Sequence, residues 1–143
     1  MNSVNRFVPD AAFRIRAADA AALTADASIS AGELVNPIGA PWNDEVKDGK
    51  VVFFLRGTGI VATGTYSVQV ISSANEDLSS PVVHTTKAID PAVATSKWIE
   101  ILVDQETLAK EAPTSKYYGL ALDIGGTTPS IKIEAYVLPP VGK

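Results

Sequence analysis

A chain of 143 residues has the length of a single domain and can bury about 68–70% of the surface its unfolded form exposes, enough for a core without covalent staples. Cysteine is absent, which excludes a disulfide framework, a thiolate nucleophile and a cysteine-based zinc site. With 12 Lys plus Arg against 16 Asp plus Glu, the net charge of −4 argues against general affinity for nucleic acid phosphates. No apolar run reaches the roughly 18 residues of a membrane helix, so neither nucleic acid nor membrane is expected as a partner. Asp19 and Asp26 interrupt the alanine-rich stretch 17–27, so it is not expected to be a secretory signal.

Residues 1–11 hold Asn2, Ser3, Asn5, Pro9 and Asp10, with Val4, Phe7 and Val8 as the only apolar anchors, and read as an extended N-terminal arm. The arm either packs back on its own domain or lies on a neighbour. Residues 12–143 read as one domain. In 12–16, Phe13 and Ile15 alternate with Arg14 and Arg16, a short strand with a basic outer face. The alanines of 17–27 favour helix, whereas Thr24, Asp26, Ser28 and Ser30 suit a strand and its turns, and a strand is expected over 23–29. The stretch 33–42 contains Pro37 and Pro41 and reads as a surface crossing, because proline removes an amide donor that a central strand needs.

Asp48-Gly49 is a tight-turn signal. The run that follows, 50–56, is apolar from Val51 to Leu55, as in a strand covered on both faces, at the centre of a sandwich or under a neighbouring subunit. Gly57-Thr58-Gly59 reads as a link, and 65–72 as a strand with Tyr66, Val68 and Val70 on one face. Residues 75–80 are a polar loop, 82–86 a short strand, and 88–94, with Pro91, a turn or short helical segment. In 96–103, Ile99, Ile101 and Val103 point inward while Trp98, Glu100 and Leu102 point outward. Asp104 is placed to cap one or two helical turns that run to Glu111 and stop at Pro113. Two period-two runs close the chain, 116–124 and 130–138, with inward sets Tyr118, Leu120, Leu122, Ile124 and Ile131, Ile133, Ala135, Val137. The five-residue link Gly125-Gly126-Thr127-Thr128-Pro129 predicts that these two runs pair as a hairpin. About eight strands without βαβ alternation or internal repeat make an all-β antiparallel sandwich, best matched by an eight-stranded jelly roll.

Chemistry-bearing patterns are few. His84 is the only histidine, set among Val82, Val83, Thr85 and Thr86, and no neighbouring group in the sequence offers it a partner for general-base work. It reads as an edge or surface imidazole. Asn43-Asp44-Glu45 with Asp48-Gly49 is the densest acidic cluster, but it lacks EF-hand spacing and reads as a solvated turn. Gly57-Thr58-Gly59 lacks the third glycine and following helix of a dinucleotide loop. Pairs of carboxylates for glycoside hydrolysis cannot be chosen among 16 acids without their separation in space. No catalytic residue, cofactor or metal ligand is therefore expected. Interaction surfaces are better marked: Arg6, Arg14 and Arg16 make a basic leading end, and Trp42 and Trp98 are of a type enriched at interface hot spots. With Phe7 of the arm, these are the candidate partner-binding residues.

Asp48-Gly49-Lys50-Val51-Val52-Phe53-Phe54, then Val68-Gln69-Val70-Ile71-Ser72 running into a loop with Glu76-Asp77, resemble bacteriophage capsid cement, or decoration, proteins. So does the closing Lys116-Tyr117-Tyr118-Gly119-Leu120-Ala121-Leu122-Asp123 with Gly125-Gly126-Thr127-Thr128-Pro129 and a final strand. The likeness spans about 23–137, whereas residues 1–16 and 36–41 have no matched counterpart. It implies a jelly-roll-like sandwich that, often as a trimer, sits on the outside of the shell at junctions between major capsid proteins, after synthesis in the host cytoplasm. The implied mechanism is bridging, which favours the assembled shell by mass action. A carbohydrate-binding or receptor-binding sandwich is the alternative, with Tyr117, Tyr136, Trp98 or Trp42 as stacking platforms if they cluster on one exposed face.

Overall fold

The structure is a computed structural model and describes residues 14–33 and 50–138. In chain order these form β1 (Arg14–Arg16), β2 (Ala27–Glu33), β3 (Lys50–Ile60), β4 (Gly64–Ser73), β5 (Val82–Ile89), β6 (Ile99–Asp104), α1 (Gln105–Glu111), β7 (Tyr117–Gly126) and β8 (Ile131–Leu138). They build two four-stranded sheets, the first ordered β1-β8-β3-β6 and the second β2-β7-β4-β5. Every pairing is antiparallel. Strands one and eight, two and seven, three and six, and four and five are neighbours, so the chain is one long hairpin folded in half and rolled into a sandwich. That is the jelly roll expected from the strand count.

Period-two alternation decides which side chains meet between the sheets. Val51, Phe53 and Leu55 of β3 are fully buried, as are Val68 and Val70 of β4, Leu120 of β7 and Ile131 and Ala135 of β8. Each Val, Leu, Ile or Phe so buried contributes about 1.5–3 kcal/mol against leaving it exposed. The intervening Val52 and Phe54 are half-buried on the outer face of the first sheet, so β3 is an internal strand with one deep and one shallow side. The inward sets read from the sequence for β4, β6, β7 and β8 are those observed.

Several sequence expectations are corrected. The runs 116–124 and 130–138 are strands, but they do not pair: β7 lies between β2 and β4, and β8 between β1 and β3. Their glycine-containing link crosses from one sheet to the other. Gly57-Thr58-Gly59 is no link but part of β3, where the register against Ile133 and Lys132 shifts by a bulge. Glycine is suited to that role, since a bulge bends the strand away from regular pairing. The strand expected over 23–29 begins instead at Ala27, because Leu23 bridges Ile131 of the first sheet while Ala27 already pairs with Leu122 of the second. Between them the chain changes sheets, and Asp26 accepts a hydrogen bond from the Ile124 amide at 2.8 Å. β5 runs on to Ile89, which is buried, and takes two residues from the expected turn. Helix α1 has the expected bounds, although the Asp104 side chain makes no capping bond. The arm at 1–11, the crossing at 36–41 and the turn at Asp48-Gly49 lie outside the described residues.

Candidate functional site

The outer face of the first sheet gathers charge and aromatic surface. Arg56 and Glu134 are register partners on β3 and β8, and Tyr136 stands opposite both Phe54 and Arg14. Partners across an antiparallel ladder share a face, which brings these groups together. The Arg56 guanidinium donates from Nη2 at 2.7 Å and from Nε at 3.2 Å to Oε2 of Glu134, a carboxylate only 6% exposed. The Tyr136 hydroxyl donates to the other oxygen, Oε1, at 3.3 Å. Burial raises the pKa of the Tyr136 phenol, the Glu134 carboxylate adds to the effect, and Arg14 opposes it. Trp98, just before β6, meets Tyr136 edge-on at 5.8 Å and lies under the Arg56 guanidinium at 4.9 Å. Leu102 and Lys132 are exposed on the same outward registers.

A second cluster lies where β4 and β5 meet α1 and the turn after it. β5 pairs Val83 with Ile71 and Thr85 with Val70, leaving His84 as the extra residue of a bulge. Its side chain is fully enclosed, with Nε2 at 2.7 Å from Ser72 Oγ and Nδ1 at 2.7 Å from Glu111 Oε1 at the end of α1. Ser72 Oγ lies 3.0 Å from Ser115 Oγ, in the turn after α1. A carboxylate oxygen accepts, so Nδ1 is the donor to Glu111, and the single Ser72 hydroxyl proton has two acceptors in reach by rotation, the Ser115 hydroxyl and His84 Nε2. His84 thus joins β4, β5 and α1 through groups 12 and 27 residues away in the chain.

Of the residues singled out in the sequence, Arg14 and Trp98 both border Tyr136 on the outer face of the first sheet. Arg16 does not join them: its guanidinium turns to the carbonyl of Ala21, and its Nε is buried without a hydrogen-bond partner. Arg6, Phe7 and Trp42 lie outside the described residues. The aromatic residues are divided, since Trp98 and Tyr136 share the first sheet while Tyr117 borders an open hollow with Asn75, Glu76, Asp77 and Ser79 at the end of the second. Arg56, Glu134, Ser72 and Glu111 carried no local signal; register pairing of β3 with β8 brings the first two together, pairing of β4 with β5 brings Ser72 to His84, and the chain's return through α1 brings Glu111 there. Among the described residues, no three His, Asp or Glu side chains converge as metal ligands. In comparison with known proteins, the chain matches no family model, no curated protein and no solved structure.

Proposed function

We propose that this chain is a structural virion protein that binds the outside of a phage capsid and stabilises it by bridging major capsid proteins, acting as a trimer. The segments that carry the resemblance to cement proteins fall on β3, β4, β7 and β8, the internal strands of the two sheets, and on the connections after β4 and β7, with Asp48-Gly49 outside the described residues. The observation that most supports an interface is the Arg56–Trp98 stack beside Tyr136 and Arg14. Arg and Trp held rigid by neighbours lose little freedom on docking, and both are enriched among residues that dominate binding energy.

The reading is tested by co-sedimenting the purified protein with shells of the major capsid protein from the same source. Saturable binding at a fixed ratio per capsid subunit is expected. Removing residues 1–10 should weaken it while leaving the unfolding midpoint unchanged, and Trp98→Ala should weaken it by about 30-fold, as loss of about 2 kcal/mol at a hot spot does. If mature shells pellet without the protein, the cement reading fails. Tyr117 beside Asn75 and Asp77 supports the glycan-binding alternative, since an aromatic platform flanked by amide and carboxylate groups is how sugars are held. Binding on a glycan array that Tyr117→Ala abolishes, with no binding to shells, would establish it instead.

A further inference from the structure

We propose that Ser72 is a latent nucleophile, activated by His84 as general base, with Glu111 as the positioning residue that orients the imidazole. The warrant is mutual geometry: hydroxyl to Nε2 at 2.7 Å, and Nδ1 to carboxylate at 2.7 Å. Nucleophile, base and orienting acid in hydrogen-bonded series are what hydroxyl activation requires, whatever the fold or chain order. Ser115, whose hydroxyl lies 3.0 Å from Ser72 Oγ and accepts from it at rest, has its own proton to offer the oxyanion that forms when Ser72 attacks.

The closed form holds the site shut. Ser72 has no exposed surface and Ser115 is 8% exposed. The proposed seal is the turn 112–115, which brings Ser115 against Ser72 and is fastened by the Ser115 amide to the Ala112 carbonyl at 3.2 Å and by the Lys116 amide to the Ser73 carbonyl at 2.9 Å. Glu111 at its near end is 46% exposed, so the cluster borders solvent on the side of the seal. Lifting so short a turn is a local opening that leaves the sheets paired. A small ester is the substrate class that suits an opening limited to four residues, 112–115.

In the step proposed, Ser72 Oγ bonds to the carbonyl carbon as its proton passes to Nε2, and the carbonyl electron pair moves onto oxygen. That pair returns to expel the alcohol oxygen, which takes the proton from Nε2. Water then attacks the acyl-serine by the same route and releases the carboxylic acid. No metal or redox partner is needed. The inference is independent of shell binding, and neither outcome below bears on that reading.

The test uses the full chain with a biotinylated fluorophosphonate, in which serine oxygen bonds to phosphorus and fluoride leaves, and with p-nitrophenyl acetate. A single adduct mapping to Ser72 is expected, with a labelling rate about 10²–10⁴-fold lower in His84→Asn. Glu111→Gln, at a position open to solvent, should label at least about tenfold more slowly at an unchanged thermal midpoint, and Glu111→Asp, which keeps the carboxylate, should recover the greater part of the rate. A purely structural contact would leave the labelling rate unmoved in a variant that folds as the native protein does. The proposal is overturned if the native protein acquires no adduct at Ser72 after prolonged exposure, or if Glu111→Gln labels at the native rate.

Discussion

Tyr118 places its phenol in the core, edge-on to Phe53 at 5.9 Å, and burial pushes its pKa up to about 12 from the ordinary 10.0. An acid whose folded pKa lies above its unfolded value contributes its full stability below the unfolded pKa. That contribution drains away as the unfolded phenol ionises, between pH 10 and about pH 12. Over this window Tyr118 should make unfolding free energy fall by about 1.4 kcal/mol per pH unit, and Tyr118→Phe should remove that slope. Urea melts of both proteins from pH 9 upward check it; parallel curves would show that another group is responsible. Tyr66 acts at neutral pH through its hydroxyl, which donates to the Val61 carbonyl at 2.8 Å and accepts from the Ser130 amide at 3.0 Å. It ties the β3–β4 connection to the entry of β8. Tyr66→Phe leaves the Ser130 amide without this partner while the Val61 carbonyl keeps the Gly64 amide at 3.1 Å, with an expected loss of about 1–3 kcal/mol seen as a lower urea midpoint at unchanged slope.

Strands two and seven touch at a place where a side chain has no room. A Cβ on Gly119 would lie 2.2 Å from the Ile29 carbonyl oxygen, a backbone atom fixed by the ladder. Gly119→Ala must therefore push β2 outward, at about 1–3 kcal/mol, and the amides of 27–33 should exchange hydrogen faster than those of β4. Helix α1 depends on Leu108, 1% exposed and part of the core. Leu108→Ala should cost about 2–5 kcal/mol, measured as a lowered thermal midpoint. Strands and helix could be read from the sequence because alternation and a proline stop are local patterns. Pairing could not: period two says which face of 116–124 is apolar but not which strand lies beside it. Gly125-Gly126 fits a sheet-to-sheet crossing as well as a hairpin turn, and Gly57 and Gly59 fit a bulge as well as a loop.

The molecule as a whole is organised by return of the chain upon itself. The candidate sites follow the same rule: Arg56 and Glu134 are 78 residues apart, and Ser72 and Ser115 are 43. Of the outer-face cluster, the sequence offered Arg14 and Trp98 by residue type, while the groups that hold them are fixed by register. The Arg56–Glu134 pair illustrates the energetic side. Arg56→Met strands a buried carboxylate and should destabilise the fold by more than Arg56→Met with Glu134→Met together, a difference that a double-mutant cycle in urea measures directly.

The nested order of pairs also fixes how the protein meets force. Arg14 and Tyr136 are adjacent partners at the outermost rung. Tension drawn through the two ends of the described chain therefore peels β8 from β1 and β3 first, and only then β7 from β2 and β4, a few ladder bonds at a time like a zip. A load that enters on one sheet and leaves through the other meets the whole interdigitated core at once. The sandwich is weak when hung by its ends and strong when gripped by its faces, so any partner that must bear strain through it holds best through the outer surfaces of the sheets.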